Sequence, residues 1–518
     1  MALVTLFDVL GPIMVGPSSS HTAGACRLGL LARQILGGTP ERARIGLHGS
    51  FAATGEGHGT QPALIGGLLG LDPADERLGT SRELAGPAGM KVVFHSEDLG
   101  QGAHPNSVRF VLQRCKERVE VTGASLGGGV VEISAVDGFA VRVRGDLPAV
   151  MVVASDVPGS IAHITGVLAE DGVNLATMHV GRRYRGADAV MVLETDTAPS
   201  AAALGAISRF SWVHRVRSIA PVSRASGAQG ELPGSMASLL AACTAGGGDL
   251  AAAIAEMATA HGGSKEGLRA RLEQTLEVMQ ASVRRGLGER TPSPSGLSGW
   301  RAATLADHAP RLVGDTLRDV LAAALAVLEV NARMGVIAAA PTAGGAGVLP
   351  AVLFVLANAR GWGKEALANA LLVAGGVGAV IAARATLSGA EGGCQAETGS
   401  AAAMAAAAVT YAEGGSAEQV SQAVSLALQG MIGLICDPLA GLVEIPCGYR
   451  NASAAVQAIA AAEMALAGMA FPVPADEVID TVAEVGRRMD AAYRETARGG
   501  LATTPAGLRA RRACGRCA

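Results

Sequence analysis

Alternation and spacing of apolar positions divide the chain into stretches of different character. From residue 1 to about 147, runs at 43–47, 92–95, 130–135 and 140–144 read as short strands, and 22–36 reads as a helix. This predicts an α+β domain. From 148 to 222 the pattern changes. A strand at 149–154, a Pro-Gly turn, a helix at 161–171, strands at 172–180 and 187–195, a helix near 200–207 and a strand at 213–219 give the order β-α-β-β-α-β of a ferredoxin-like unit. Residues 223–234 are a Gly/Ser/Pro-containing linker. From 235 to 518 the apolar spacing is helical, with candidate helices at 268–286, 312–334, 350–358, 365–387, 401–411, 417–428, 452–467 and 475–494, and a Pro/Gly/Ser loop at 291–300. This part is predicted to be an all-helical bundle.

Composition narrows the picture. The 518 residues carry a net charge of −3, so no basic field points to nucleic acid. Mean hydropathy is +0.34, and the stretches 366–383 and 336–358 carry no charge. A membrane span needs about 20 apolar residues. Here the apolar content is mostly Ala and Gly, prolines interrupt the second stretch, and no aromatic belts flank either one. Buried helices are therefore expected rather than spans. The N-terminus lacks a basic region followed by an unbroken apolar run, and Asp8 interrupts it, so no signal peptide is expected. Eight cysteines, several in Gly-rich turns, suit a reducing cytoplasm better than a disulfide framework.

Three of those cysteines sit in turn-forming settings within otherwise Ala-rich sequence: Cys394 after Gly392-Gly393, Cys436 before Asp437-Pro438, and Cys447 between Pro446 and Gly448. None has Cys-x-x-Cys spacing, which excludes an ordinary zinc ribbon or ferredoxin pattern. Three thiolates can hold a cubane iron–sulfur cluster and leave one iron without a protein ligand, an arrangement suited to Lewis-acid chemistry; three buried structural thiols would read similarly. Cys26, Cys115 and Cys243 lack such settings. Near the N-terminus, Gly16-Pro-Ser-Ser-Ser-His-Thr22 places hydroxyls and a histidine at a helix start, a suitable cradle for a carboxylate, or more simply a cap. His58 and His104 lie in Gly-rich or polar turns and are candidate proton carriers or ordinary surface histidines. Ala340-Pro-Thr-Ala-Gly-Gly-Ala-Gly347 is a small-residue loop without the lysine a phosphate loop needs.

Taken together these motifs resemble the iron–sulfur-dependent L-serine dehydratases. The stretches 16–22, 49–60 and 104–106 are similar to the family's β part. The stretches 341–344, 389–397, 436–447 and 495–502 are similar to its α part. The order and the phrase Asp156-Val-Pro-Gly-Ser-Ile-Ala resemble an ACT domain, an amino-acid-sensing module, between them. The resemblance covers essentially the whole chain, as a single-chain fusion: 1–147 β-type, 148–222 ACT, 223–234 linker, 235–518 helical α-type.

The resemblance implies a [4Fe–4S] cluster on Cys394, Cys436 and Cys447. It implies conversion of L-serine to pyruvate and ammonia, with His58, or else His104, as the base. Ser18, Ser19, His21 and Thr22 would hold the substrate carboxylate, helped by Pro341, Thr342, Ala343 and Gly344. An amino-acid effector at the ACT module would meet Asp156, Gly159 and Asn174, and the module could instead serve a homodimer contact. Cys514 or Cys517 could cap the open iron, as a C-terminal cysteine does in some relatives. One departure is Gln61, where the family often shows Asp. Among rivals, a pyridoxal-phosphate dehydratase needs a Schiff-base lysine, and none of Lys91, Lys116, Lys265 and Lys364 has a phosphate cup beside it. Another iron–sulfur hydro-lyase, a cysteine desulfidase, and an inactive amino-acid sensor are the remaining alternatives. No membrane partner is expected.

Overall fold

A computed structural model describes residues 5–53, 55, 57–222, 230–260 and 263–514. They form two compact units, one of residues 20–222 and one of residues 5–19 with 230–514.

The first unit holds two sheets. The larger has six strands in the order Lys91–Ser96, Arg42–Leu47, Ser107–Arg114, Glu117–Gly127, Val130–Val136, Phe139–Val143. The first pair is parallel and the remaining pairs are antiparallel. Two central strands, Ser107–Arg114 and Glu117–Gly127, lie outside the runs named above. Their inward positions are apolar (Val108, Phe110, Leu112, Val119, Val121), while Arg109, Arg118 and Glu120 sit between them. The helix Ala25–Leu36 packs on this sheet and against the helix Thr60–Leu69. The two helices meet at glycines: a Cβ on Gly29 would lie 2.5 Å from the Leu64 carbonyl oxygen, and one on Gly67 would lie 2.1 Å from that of Cys26.

The smaller sheet is the ferredoxin-like module expected from the sequence. Its strands are Ala149–Ser155, Leu175–Arg182, Asp188–Thr195 and Val213–Ile219, with helices Ser160–Glu170 and Ala201–Ser208. All strands are antiparallel, with Ala149–Ser155 and Asp188–Thr195 in the middle. Val150, Val152, Ile164, Leu168, Leu193 and Ile207 form its core. Each such side chain contributes roughly 1.5–3 kcal/mol on burial. Arg215 pairs with Asp137 at 2.7 Å, and Arg217 with Glu117 at 2.6 Å, joining the module to the larger sheet.

The second unit is helical. Ser400–Ala412 is buried along nearly its whole length, and its alanines let Val348–Arg360, Lys364–Arg384, Ala417–Gln429 and Cys447–Leu466 pack around it. Lys364–Arg384 is the described helix long and apolar enough to cross a membrane, and most of it is buried inside this unit. The N-terminal segment belongs here too. Ile13–Val15 pairs antiparallel with Val336–Ala338. The turn of helix Leu6–Val9 lies on Lys364–Arg384, where Cβ atoms on Gly375 and Gly378 would strike Leu6 and Val9.

Candidate active site

The helical unit brings the three cysteines together. Cys394, Cys436 and Cys447 are 3%, 5% and 7% exposed, and each lies within electrostatic reach of the others. Cys394 follows Gly393, whose φ of +74° and closeness to Met489 and the Leu434 carbonyl require glycine. A π-helical turn, Gln395–Gly399, follows it. Gln395 is fully buried and ties this turn to the segment before Cys436. Its backbone N–H donates to Leu434 O at 2.9 Å, and its Oε1 accepts from Gly433 N at 2.9 Å.

Cys436 pairs with the 493–495 segment: its N–H donates to Tyr493 O at 2.8 Å, and Glu495 N donates back to Cys436 O at 2.9 Å. Glu495 and Ala497 adopt left-handed backbone with φ of +62° and +52°, a conformation costly for residues other than glycine. Cys447 opens the helix Cys447–Leu466, where the helix N-terminus favours a thiolate. Asn451, one turn on, donates from Nδ2 to Cys447 O at 2.9 Å and Gly344 O at 2.7 Å, and accepts Gly347 N–H at 3.0 Å. The 341–344 loop is thereby held against the cysteine-bearing helix.

Charge around the thiols is mostly negative. Burial raises all three, Cys394 to about 11, and the carboxyls of Glu397 and Glu495 add to the effect on Cys436 and Cys447. Arg450 opposes it at Cys394 and Cys447. It is held by Ile435 O at 2.8 Å and Asp437 Oδ1 at 2.7 Å. Asp437, 1% exposed, also accepts Leu501 N–H at 2.6 Å. Glu397 accepts from Thr342 Oγ1 at 2.8 Å. Burial and then the charge of Glu495 push the Glu397 carboxyl well above the usual range, and burial raises Glu495 as well. The two therefore resist carrying two charges at neutral pH. Three residues before Cys447, the carboxylate of Glu444 accepts from the hydroxyls of Ser293, Ser295 and Ser298 at 2.7, 2.7 and 2.5 Å. The 291–300 loop thus holds the approach to Cys447.

The donor chemistry fits an iron–sulfur cluster. Three buried thiols lie within electrostatic reach of one another, beside a helix N-terminus and an arginine. Among the described residues no three His, Cys, Asp or Glu side chains close tightly enough to hold a single metal ion.

The first unit gathers the histidines. The rings of His21 and His58 lie 4.7 Å apart, and His21 Nε2 meets Ser50 Oγ at 2.9 Å. Burial, then the neighbouring His58 and His104, holds His21 well below its ordinary pKa. Thr22 Oγ1 donates to His58 O at 2.8 Å, and His104 Nδ1 accepts Asn106 N–H at 3.1 Å. The predicted helix start is a π-helical segment, Ser19–Gly24, running into Ala25–Leu36, and Ser18, Ser19, His21 and Thr22 are all buried. The Thr22 and Thr342 hydroxyls already donate to protein acceptors, so a carboxylate at either place would have to be met by other donors. Gln61 accepts from Arg82; the side chain at the departing position is bound there.

In the ACT module, Asp156 accepts from Arg182 NH1 at 2.7 Å and from Gly186 N–H at 3.0 Å, and Asn174 donates to Asp196 at 2.7 Å. Gly159, at φ +83°, caps the helix that follows. These effector candidates are thus engaged within the module. Cys514 is buried at the end of the helix Pro505–Ala513, which packs on the Leu439–Gly441 turn between Cys436 and Cys447. It is not among the groups acting on the three thiols. Cys517 lies outside the described residues.

Sequence motifs disclosed the cysteines, the histidines and the two loops. Gln395, Glu397, Asp437, Glu444 and Glu495 lie inside or beside the same motifs without having been singled out, and Arg450 and Asn451 follow Cys447 in an ordinary helical run. The available signal was polar side chains in stretches otherwise composed of Ala, Gly and Leu.

An α+β part, a βαββαβ module and a helical part bearing three buried thiols follow one another along the chain. Family models match in that order: serine dehydratase beta chain over residues 5–135, ACT domain over 149–210, and serine dehydratase alpha chain over 247–502. The L-serine dehydratase of Streptomyces coelicolor is 32% identical, covering 96% of this chain and 98% of its own. L-serine dehydratase 2 of Escherichia coli is 33% identical over the same shares. The probable L-serine dehydratase alpha chain of Bacillus subtilis is 46% identical over 47% of this chain and 82% of its own length. The chain belongs to the L-serine dehydratase family.

Proposed function

We propose that this chain is an L-serine ammonia-lyase that forms pyruvate and ammonia, with Cys394, Cys436 and Cys447 holding a [4Fe–4S] cluster. The observation that carries this is the convergence of three buried thiols next to Arg450 and a helix N-terminus. When bound, such a cluster supplies an iron without a protein ligand, an electrophile for a departing hydroxyl.

The protein's own residues do the rest. Arg450 offsets the negative charge of Cys394 and Cys447. Asn451 and Thr342 hold the 341–344 loop in place beside the thiols. Ser18, Ser19, His21 and the loop backbones at Thr22 and 341–344 take the substrate carboxylate. His58 is assigned removal of the Cα proton, with His104 the second candidate. His21 is held neutral by burial, which keeps a charge from building up beside His58. Loss of the Cα proton and the β-hydroxyl releases one water and leaves an enamine. Its imine tautomer takes up one water and separates into pyruvate and ammonia.

A cytoplasmic setting belongs to this reading, because the thiols must stay reduced. The ACT module is read as an amino-acid effector site or a homodimer contact, and Cys514 or Cys517 as a cap on the open iron. Pyruvate formation from L-serine, measured without oxygen on protein reconstituted with iron and sulfide, tests the function. Iron uptake without pyruvate formation would move the assignment to another hydro-lyase or a desulfidase.

A further inference from the structure

Two carboxyls beside three thiols are an electrostatic oddity, because each makes the thiolates harder to form. Glu397 acts on all three cysteines. Arg450 is the cation acting on this group, and it is already committed to Asp437 at 2.7 Å. Among the described residues neither Glu397 nor Glu495 is part of an ion pair. Burial favours the neutral carboxyl at Glu397, and a cation placed beside it would favour the charged form.

Glu397 is also held with care. Thr342 Oγ1 donates to Oε1 at 2.8 Å. A Cβ on Gly344 would lie 2.9 Å from both carboxyl oxygens, and one on Gly389 would lie 2.5 Å from Oε2. Backbone from two separate motifs thus closes on the carboxyl and fixes its direction. Even so, Glu397 keeps part of its surface accessible, whereas Thr342, Gly344 and Gly389 around it are buried. The accessible part is the side on which a ligand would have to meet it, while the carboxyl itself lies deep.

We infer that Glu397 receives the α-ammonium of the amino-acid substrate and so selects amino acids over hydroxy acids that lack the amine. This rests on the serine-lyase reading above. An ammonium is the one cationic group that L-serine brings. Placed at Glu397 it satisfies the carboxyl and leaves the substrate hydroxyl and carboxylate for other partners. Glu495, whose charge acts on Glu397 and on two of the thiols, adds to the negative field that draws the ammonium in.

The test is stopped-flow titration of anaerobically reconstituted protein, read from its absorbance before turnover, comparing L-serine with 3-hydroxypropanoate, which keeps the carboxylate and β-hydroxyl and lacks the amine. Glu397→Gln should hold as much iron per chain as the wild type and bind 3-hydroxypropanoate within about threefold of it. It should bind L-serine at least ~10-fold more weakly, the scale of a lost charged hydrogen bond. Gly389→Ala, which displaces the carboxyl without removing it, should likewise weaken L-serine and leave 3-hydroxypropanoate within about threefold of the wild type, and covers the case of a poorly folded Glu397→Gln. Equal affinity of variant and wild type for L-serine, or an equal loss for both ligands, overturns the assignment. A wild type that takes up iron and binds no L-serine overturns the serine reading itself, and this assignment with it.

Discussion

Asn451 donates from Nδ2 to Gly344 O at 2.7 Å, linking the helix that begins at Cys447 to a loop more than a hundred residues earlier. The same amide serves Cys447 O and Gly347 N–H, and the side chain is fully buried. Replacing Asn451 with Ala takes this partner from Gly344 O and Gly347 N–H, each loss costing about 1–3 kcal/mol, while Cys447 O keeps its helical bond. Asn451→Ala should lower unfolding stability by several kcal/mol in urea titration. Asn451→Asp, which keeps the acceptor but loses both donors, should fall in between. Wild-type stability in Asn451→Ala would contradict this account.

Arg450, half-buried, pairs with the buried carboxylate of Asp437. Removing the cation leaves Asp437 with the Leu501 N–H and no ion-pair partner, which costs up to about 3–5 kcal/mol. Arg450→Met should therefore destabilise the fold, and its Cys394 should react more slowly with iodoacetamide in iron-free protein, because the arginine no longer favours the thiolate. Arg450→Lys should recover part of the reactivity and little of the stability, since an ammonium cannot reproduce the contacts to both Ile435 O and Asp437.

Much of this was legible in the chain and some was not. The ACT strands show clear apolar runs, and the structure has them in the expected order. Most helices of the second unit begin and end within a few residues of their predicted limits. The strands Ser107–Arg114 and Glu117–Gly127 were missed because charged residues alternate with the buried ones and a positive-φ turn at Cys115 separates them. The pairing of Ile13–Val15 with Val336–Ala338 is a contact of high sequence separation, which no local period encodes. The thiols stood out because glycine and proline surround them. Glu397, Arg450 and Asn451 did not, because their importance lies in partners far along the chain. The engaged states of Asp156 and Asn174 likewise depend on Arg182 and Asp196, contacts that spacing alone does not reveal.

His21 supplies a pH dependence. Burial holds its folded pKa well below the ordinary value of about 6.5. Between the two values the unfolded chain binds more protons than the folded one, so stability is complete above ~6.5 and is lost as pH falls toward the folded value. Urea midpoints measured from pH 7.5 down to 5 should fall more steeply for the wild type than for His21→Gln. Parallel slopes would remove His21 from this role.

Glu444 gathers three serine hydroxyls before Cys447. Hydrogen bonds to a charged group are worth about 1.5–3 kcal/mol each. Ser293→Ala and Ser295→Ala should each cost about that much in thermal or urea unfolding, and Glu444→Ala more than either. A double variant of both serines that matches the wild type would show that the 291–300 loop does not hold this carboxylate.

The central claim is that Cys394, Cys436 and Cys447 hold a cluster with one iron open to substrate. Mössbauer spectroscopy of protein reconstituted anaerobically with ⁵⁷Fe tests it most directly, with and without L-serine and beside Cys436→Ala. The account predicts iron in a three-to-one pattern, a shift of the minority site alone when L-serine is added, and loss of the cluster in the variant. Four equivalent irons, a spectrum unmoved by L-serine, or a cluster that survives in Cys436→Ala would contradict it.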